Sequence, residues 1–168
     1  MDVSDLLIEW YGRLPDLVHD AVEGLSPEDL ARPPAEGANT IGWLTWHLTR
    51  VQDHHVSELL DERQVWEEGA WAERFGMAPD PDDTGYGDSP DEVLRVRPDG
   101  PGAVTGYLDA VWSRTRTYLA ELSAADLDEV VDERWDPPVT RGVRLVSVVD
   151  DCIQHVGQAA YARGLLGR

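Results

Sequence analysis

The chain has 168 residues, of which 42% are hydrophobic, so it can bury one sizeable core and is predicted to form a single domain over residues 1–168. Its 33 acidic and 14 basic side chains give a formal net charge of −19, which repels phosphate backbones and anionic membrane surfaces and disfavours nucleic-acid binding. The N-terminus has no basic region, and no apolar run approaches the roughly 18 residues of a membrane span. We therefore expect no signal peptide, no membrane contact and a cytoplasmic protein.

The first predicted helix runs from about Ser4 to Leu25 and carries apolar residues at helical spacing. Ser4 is the candidate N-cap. Pro15 removes one backbone donor inside this segment, so we expect the helix to kink or to split near Gly12. A serine followed by proline and two acidic residues then predicts one short helical turn at 26–30.

The second predicted helix is capped by Thr40 or the residue before it and extends to about Leu60. Three histidines lie on it. His55 falls inside the apolar stripe and is expected to be a packed core histidine with a hydrogen-bond partner. His47 and His54 flank the stripe, but their separation is about 10 Å along the helix axis, so they cannot both bind one ion directly. His47, close to the start of the helix, is the better ligand candidate.

Residues 61–100 are the least regular part of the sequence, with short helices predicted at 64–67 and 71–75. Residues 78–87 are rich in proline, glycine and aspartate, which is typical of a loop. Because long loops inside compact domains are usually functional or mobile, we expect this one to be comparatively mobile. Three aromatic side chains of the same region are expected to cover part of the helical core: Trp66, Trp71 and Phe75.

The third predicted helix runs from about Pro101 to Leu122, and the fourth from about Val143 to Leu165. The segment between them, residues 135–142, contains two consecutive prolines and is expected to be extended or turning. Cys152 is the only cysteine, which excludes a disulfide framework and a multi-thiolate zinc site. It faces the apolar arc of the fourth helix, so we expect a buried hydrophobic residue rather than a nucleophile.

Asp151 and His155 are one helical turn apart on the fourth helix, so both can present a ligand atom to one point. Together with His47 from the second helix they would form a ligand set suited to zinc, with nickel or iron as alternatives, and with positions left for water or substrate. Burying Asp151 is costly without a compensating cation or donor, which favours a metal. The alternative is a simple hydrogen bond between Asp151 and His155 at the rim of a core.

Five stretches of the chain follow an order and spacing typical of a known superfamily: GANTIGWLTWHL at 37–48, QVW at 64–66, WAERFG at 71–76, VDDCIQHVGQAAY at 149–161 and RGL at 163–165. In these motifs the chain resembles the DinB-like superfamily over nearly its whole length, and it is most similar to the actinobacterial branch that includes the mycothiol-dependent maleylpyruvate isomerases. The resemblance implies an all-α, up-down-down-up four-helix bundle with a long crossover between its second and third helices. It also implies a divalent metal held by His47, Asp151 and His155. Many members have histidine, and the isomerases glutamate, where this chain has Asp151.

The resemblance further implies a metal-dependent enzyme that acts with a low-molecular-weight thiol, with mycothiol as the suggested thiol. An open metal position would bind the thiol, lower its pKa and hold the thiolate for attack on a small electrophilic molecule. The expected reaction is S-transfer or isomerisation, for which the protein needs no cysteine nucleophile of its own. Arg50, one turn after His47, and Arg163 are candidates to hold a carboxylate. Maleylpyruvate isomerisation itself is not expected, because those isomerases have an additional C-terminal domain and this chain ends at Arg168.

Two other functions stay open at this point. One is a metal-containing stress or detoxification bundle, or a dimeric ligand-binding module, without catalytic turnover. In that case a protein ligand such as His54 should fill the last coordination position, whereas an enzyme leaves it open. The other is a helical interaction domain without metal, which would leave Asp151 buried without a cation. The sequence also leaves open whether two copies pair as a homodimer through their helix faces.

Overall fold

The computed structural model describes residues 1–168 and is almost entirely helical. Its α-helices are α1 (Val3–Tyr11), α2 (Leu14–Val22), α3 (Pro27–Ala31), α4 (Ile41–Leu60), α5 (Val65–Glu68), α6 (Trp71–Arg74), α7 (Pro90–Val93), α8 (Pro101–Ala120) and α9 (Arg141–Leu165). Between α8 and α9 lie a short 3₁₀ turn (Asp126–Asp128) and two antiparallel strands, β1 (Val130–Asp132) and β2 (Val139–Thr140). The predicted all-α class is confirmed. None of the helices has the length and low polarity needed to cross a membrane.

The N-terminal helical segment is divided into α1 and α2 at Gly12, as the sequence predicts. Pro15 occupies the first turn of α2, where its missing N–H costs no helical hydrogen bond. The predicted N-cap is wrong, because Asp2 accepts the N–H of Asp5 at 2.9 Å and Asp5 accepts the N–H of Asp2 at 3.2 Å, which starts α1 earlier. Ser4 instead donates its hydroxyl to a backbone carbonyl of α8 at 2.7 Å and so attaches α1 to that helix.

The three long helices begin and end close to their predicted bounds. α4 begins after Thr40, whose Oγ1 accepts the N–H of Trp43 at 3.0 Å. α9 begins at Arg141, slightly earlier than predicted, because Thr140 caps it and accepts the N–H of Val143 at 3.3 Å. Caps of this kind are local in sequence, which is why the bounds could be predicted.

The long helices enclose one hydrophobic core. α4 packs along α9 and α8, α2 packs on α8 and α9, and α1 packs on α8. Two polar contacts fix positions along these interfaces: the hydroxyl of Tyr11 donates to the carbonyl of Leu145 at 2.7 Å, and the thiol of Cys152 donates to the carbonyl of Leu48 at 3.3 Å. Cys152 is fully buried, as predicted, and burial raises the pKa of its thiol. It is therefore a packing residue and not a nucleophile.

The crossover between α4 and α8 is anchored on the buried carboxylate of Asp53. One oxygen accepts the N–H of Val65 at 2.9 Å, and the other accepts the N–H of Trp66 at 2.8 Å and the hydroxyl of Tyr107 at 2.7 Å. The start of α5 is thereby attached to α4 and α8 at once. The predicted covering role of the crossover aromatics is confirmed: Trp66 and Phe75 are buried, and Trp71 packs partly buried against the core.

Candidate metal site

The three predicted metal ligands converge from two helices. His47 lies on α4, and Asp151 and His155 lie one turn apart on α9. The Nε2 atom of His47 is 3.8 Å from Oδ2 of Asp151, and the Nε2 atom of His155 is 3.5 Å from Oδ1 of the same carboxylate. Two ligand atoms that each stand about 2.1 Å from a tetrahedral ion are about 3.4 Å apart. The three side chains therefore need only small movements to share one ion.

The ring of His47 is oriented by the crossover loop. Its Nδ1 lies 2.5 Å from the carbonyl oxygen of Thr84, and because a carbonyl can only accept, Nδ1 carries the proton and donates it. The ring also stacks on Trp43, with centroids 4.7 Å apart and planes 7° from parallel. These contacts leave Nε2 of His47 facing the carboxylate of Asp151, as an imidazole ligand requires.

His155 and Asp151 complete the arrangement on α9. The Nδ1 of His155 lies 3.0 Å from Oε1 of Gln158, so Nε2 is again the ring atom that faces Asp151. The Oδ2 atom of Asp151 is buried and has no hydrogen-bond donor. A buried carboxylate oxygen without a donor, placed beside two imidazole nitrogens, is well matched to a divalent cation. The residues present therefore fit a metal.

The surroundings shift the pKa values of the two imidazoles in opposite directions. Burial lowers the pKa of His47 and outweighs the hydrogen bond to Thr84, which raises it. Burial also lowers the pKa of His155, but the hydrogen bonds to Asp151 and Gln158 outweigh burial, so the net pKa is raised. A metal that binds here must displace the proton that Asp151 favours on His155.

The two arginines predicted to hold a carboxylate are engaged elsewhere. Arg50 is fully buried beneath the crossover loop, where Nε and Nη2 donate to two loop carbonyls at 3.0 and 2.9 Å. Arg163 donates from Nη1 to two backbone carbonyls of α2 at 3.1 and 3.2 Å. The structure brings neither guanidinium to the metal ligands. Arg50 instead supports the loop whose Thr84 carbonyl orients His47.

A pocket of about 370 Å³ opens beside the metal ligands, between α4, α9 and the crossover loop. His47 and Asp151 line one part of it, and His55 and Arg144 line it further along the same two helices. The sequence reasoning missed Arg144, although it lies two helical turns before Asp151 and therefore on the same face of α9. Thr84 was missed as well, and no sequence signal points to it because it acts through its backbone carbonyl.

His54 and His55 line the pocket away from the metal ligands. The predicted hydrogen-bond partner of His55 is found, because its Nδ1 lies 3.5 Å from a carboxylate oxygen of Glu58. Its predicted place in the core is wrong, because the side chain is partly exposed and lines the pocket. The apolar stripe of α4 continues through this position, but the helix borders a pocket there instead of another helix. The Nδ1 of His54 accepts the amide N–H of Gln64 at 3.2 Å, so His54 belongs to the contacts with the crossover.

Gly85 packs against the candidate metal site, and replacing it should damage that site. Its φ is +82°, and a Cβ there would stand 2.7 Å from the ring of Trp46 and 3.2 Å from Nδ1 of His47. Gly87 also has a φ of +82° but has open space around it. We expect Gly87→Ala to show only the cost of a left-handed backbone, about 1–2 kcal/mol, and Gly85→Ala to lower both the melting temperature and the metal content further. Equal effects of the two variants in thermal unfolding and metal analysis would contradict this.

Comparison with known proteins agrees with the fold. A family model described as mycothiol S-transferase matches residues 7–167. Among solved structures, a conserved protein from Enterococcus faecalis is 31% identical with a TM-score of 0.90, and the match covers 100% of this chain and 99% of that one. No curated protein matches the chain. The family match and the structural neighbour confirm the resemblance to the DinB-like superfamily.

Proposed function

Because the chain belongs to the mycothiol S-transferase family, we propose that it is a metal-dependent enzyme that transfers a low-molecular-weight thiol, mycothiol, to a small electrophilic molecule. The observation that supports a bound metal is the buried oxygen of Asp151, which has no hydrogen-bond donor. The same carboxylate lies beside the imidazoles of His47 and His155. This ligand set suits zinc first, with nickel or iron as alternatives. Three protein ligands leave coordination positions for a thiol.

The chain's own residues would bind the ion and shape the space beside it. His47, Asp151 and His155 would hold the ion, which supplies a Lewis acid that lowers the pKa of a thiol. The adjoining pocket, about 370 Å³, has the size of a small-molecule site. In the transfer, the thiol sulfur forms a bond to the electrophilic carbon while the leaving group departs, and the thiol proton passes to solvent. Because Cys152 is fully buried, the sulfur comes from the small thiol.

The test of this function is conjugation of mycothiol to a fluorogenic alkyl halide, such as monobromobimane, by zinc-loaded protein. We expect turnover that requires mycothiol, stops when a chelator removes the metal and returns when zinc is added back. Cysteine and glutathione serve as comparison thiols, and the reaction without protein is the blank. A rate that is unchanged after metal removal would contradict metal dependence. Equal rates with every thiol would contradict mycothiol as the dedicated substrate.

The non-catalytic alternative predicts a different coordination of the metal. A structural or storage site is expected to close its coordination shell with a fourth protein ligand. His54, the nearest spare imidazole on α4, accepts a hydrogen bond from Gln64 and groups with His55 and Glu58 instead of with the metal ligands. This arrangement favours a site left open to thiol or water.

We also propose that the long helices form an up-down-down-up bundle within one domain. Leu48 contacts Cys152, while His55 further along α4 lies beside Arg144 near the start of α9. These contacts support opposite directions for α4 and α9. The end of α1 contacts the start of α9, and the end of α2 contacts the last turns of α9, which supports a shared direction for α1–α2 and α9. A cytoplasmic location stays a prediction.

Metal binding should weaken in two stages as the pH falls. The pKa of His155 is raised, so its imidazole takes up a proton at a higher pH than an ordinary histidine, and that proton competes with the metal. The pKa of His47 is lowered, so its competition begins only at more acidic pH. We expect zinc affinity to fall about tenfold per pH unit below the pKa of His155, and more steeply below that of His47. Calorimetric titrations with zinc at a series of pH values across this range measure the affinity. A fall in affinity that shows both protons binding in one step would contradict the prediction.

A further inference from the structure

Arg144 lines the pocket at a distance from the metal ligands, and its guanidinium has hydrogen-bonding capacity that the protein does not use. It precedes Asp151 on α9 by about 10 Å along the helix axis. Its side chain is only 14% exposed. Of its donor nitrogens only Nη2 reaches a protein acceptor, Oδ2 of Asp132 at 2.8 Å. The buried Nε has no partner.

The carboxylate of Asp132 is already well satisfied without Arg144. Arg134 donates to its two oxygens from Nε and Nη2, both at 2.8 Å, and the backbone N–H of Arg134 adds a bond at 3.0 Å. Asp132 therefore faces two guanidinium groups, and one negative charge cannot neutralise both. Apart from Asp151, two other carboxylates lie near the pocket: Glu58 is half exposed and contacts His55, and Asp82, which lines the pocket, is exposed. Water therefore screens both charges.

The α4 side of the pocket near Arg144 carries the imidazoles of His54 and His55. Their ligand atoms and those of Glu58 lie within 4.8 Å of one another, a spacing that would also suit a metal ion. The charge of Arg144 argues against a cation there, because after burial it is the next cause that lowers the pKa of His55, to about 4. Burial disfavours a charge of either sign, whereas the positive charge of Arg144 disfavours a metal ion and favours an anion.

We propose that Arg144 is a carboxylate subsite of this pocket, so that one of the two reactants carries a carboxylate that binds about 10 Å along the axis of α9 from Asp151. The proposal rests on the proposed function, because it places the reacting sulfur at His47, Asp151 and His155. A guanidinium matches a carboxylate through paired N–H donors. Nη1 of Arg144 has no protein acceptor and is not buried, so it can form such a pair together with Nη2. Because Nδ1 of His54 accepts from Gln64, its Nε2 carries the proton and offers a further donor.

The first arm of the test measures carboxylate binding independently of S-transfer. Octanoate and octanamide share the same chain and differ in the charge of the head group. Both are titrated by NMR into the full-length protein after its metal has been chelated, so that the carboxylate cannot bind an ion. We expect octanoate to bind about ten- to a hundredfold more tightly than octanamide, the range of a charge-assisted hydrogen-bonded pair.

Two arginines that share one partner provide a matched pair of variants. Arg144→Gln should abolish the preference for octanoate, whereas Arg134→Gln should retain it. Each variant removes one guanidinium from Asp132, but Arg134 is 77% exposed and does not line this pocket. A preference that survives Arg144→Gln, or that Arg134→Gln removes to the same extent, overturns the proposal.

A third variant keeps the test decisive if Arg144→Gln fails to fold, which circular dichroism reveals. Arg144→Lys keeps the positive charge beside Asp132 but lacks the planar pair of donors. It should fold and reduce the preference for octanoate severalfold. An unchanged preference in Arg144→Lys overturns the bidentate subsite.

The second arm identifies which reactant carries the carboxylate, using zinc-loaded protein. S-transfer rates are compared for 8-mercaptooctanoate and its amide with a neutral acceptor, and for 4-(bromomethyl)benzoate and its methyl ester with mycothiol. If the acid reacts faster than its amide in the first pair and Arg144→Gln removes the difference, the thiol carries the carboxylate. If the acid reacts faster than its ester in the second pair and Arg144→Gln removes the difference, the acceptor carries it. Turnover without a charge preference in either pair overturns the proposal. Absence of turnover here and with mycothiol and monobromobimane, together with selective octanoate binding, supports the anion subsite and refutes the proposed S-transfer.

Discussion

Replacing His155 with alanine should remove the metal and abolish thiol-dependent activity while most of the helix content stays. In the proposed site His155 supplies one of the three ligand atoms, and its Nε2 lies 3.5 Å from the carboxylate of Asp151. Loss of an outer contact to a metal ligand already costs about 10- to 100-fold in affinity, so loss of the ligand itself should cost more. The side chain lies at the rim, 18% exposed, and the core of α9 is made by other residues. Metal analysis of the purified variant and circular dichroism measure the two effects.

A histidine outside the site gives the matched control for this substitution. His19 on α2 is accessible to solvent, and its Nε2 lies 3.1 Å from Asp109. His19→Ala should therefore leave metal content and activity unchanged, whereas His47→Ala should resemble His155→Ala. A His155→Ala protein that holds as much zinc as the wild type would exclude this ligand. Wild-type protein that takes up no divalent metal near neutral pH would exclude the site.

The convergence of the three candidate ligands could be predicted from sequence in part because helical geometry is local. Asp151 and His155 share one face of α9 since they are a turn apart on a long helix. The place of His47 near the start of α4 favours it over His54, and the superfamily resemblance implies the same residue. The N-cap of α1 could also have been read correctly, because Asp2 and Asp5 have the spacing of a capping box and Ser4 has no such partner.

The surroundings of the ligands could not be predicted, because they depend on the path of the crossover. Helical spacing places Arg50 one turn after His47, but its donors reach carbonyls that lie 33 and 31 residues further along the chain. Thr84 orients His47 through a backbone oxygen that every residue possesses. His55 keeps the phase of the apolar stripe, yet it lines a pocket because no helix covers α4 at that point. Contacts made by loops distant in sequence leave no periodic pattern to read.

Removing the carboxylate of Asp53 should destabilise the protein strongly. Asp53→Ala leaves the N–H groups of Val65 and Trp66 without their acceptor and leaves Arg50, whose guanidinium is 3.7 Å away and fully buried, without its counter-charge. Breaking a buried pair in this way costs about 3–5 kcal/mol of unfolding free energy. For a chain of this size that corresponds to a fall of roughly 6–20 °C in melting temperature.

A control variant shows whether the effect comes from the buried position of Asp53 or from the loss of any carboxylate, and zinc binding shows whether this network supports the proposed metal site. Asp150→Ala removes an exposed carboxylate that contacts only Gln154 and should change the unfolding free energy by about 0.5 kcal/mol or less. Because Arg50 supports the loop that carries Thr84, the Asp53→Ala protein should also bind zinc more weakly at temperatures where it is still folded. Denaturant unfolding and zinc titration below the transition measure both effects. A loss of stability with zinc affinity unchanged would show that the loop keeps Thr84 in place without this buried network.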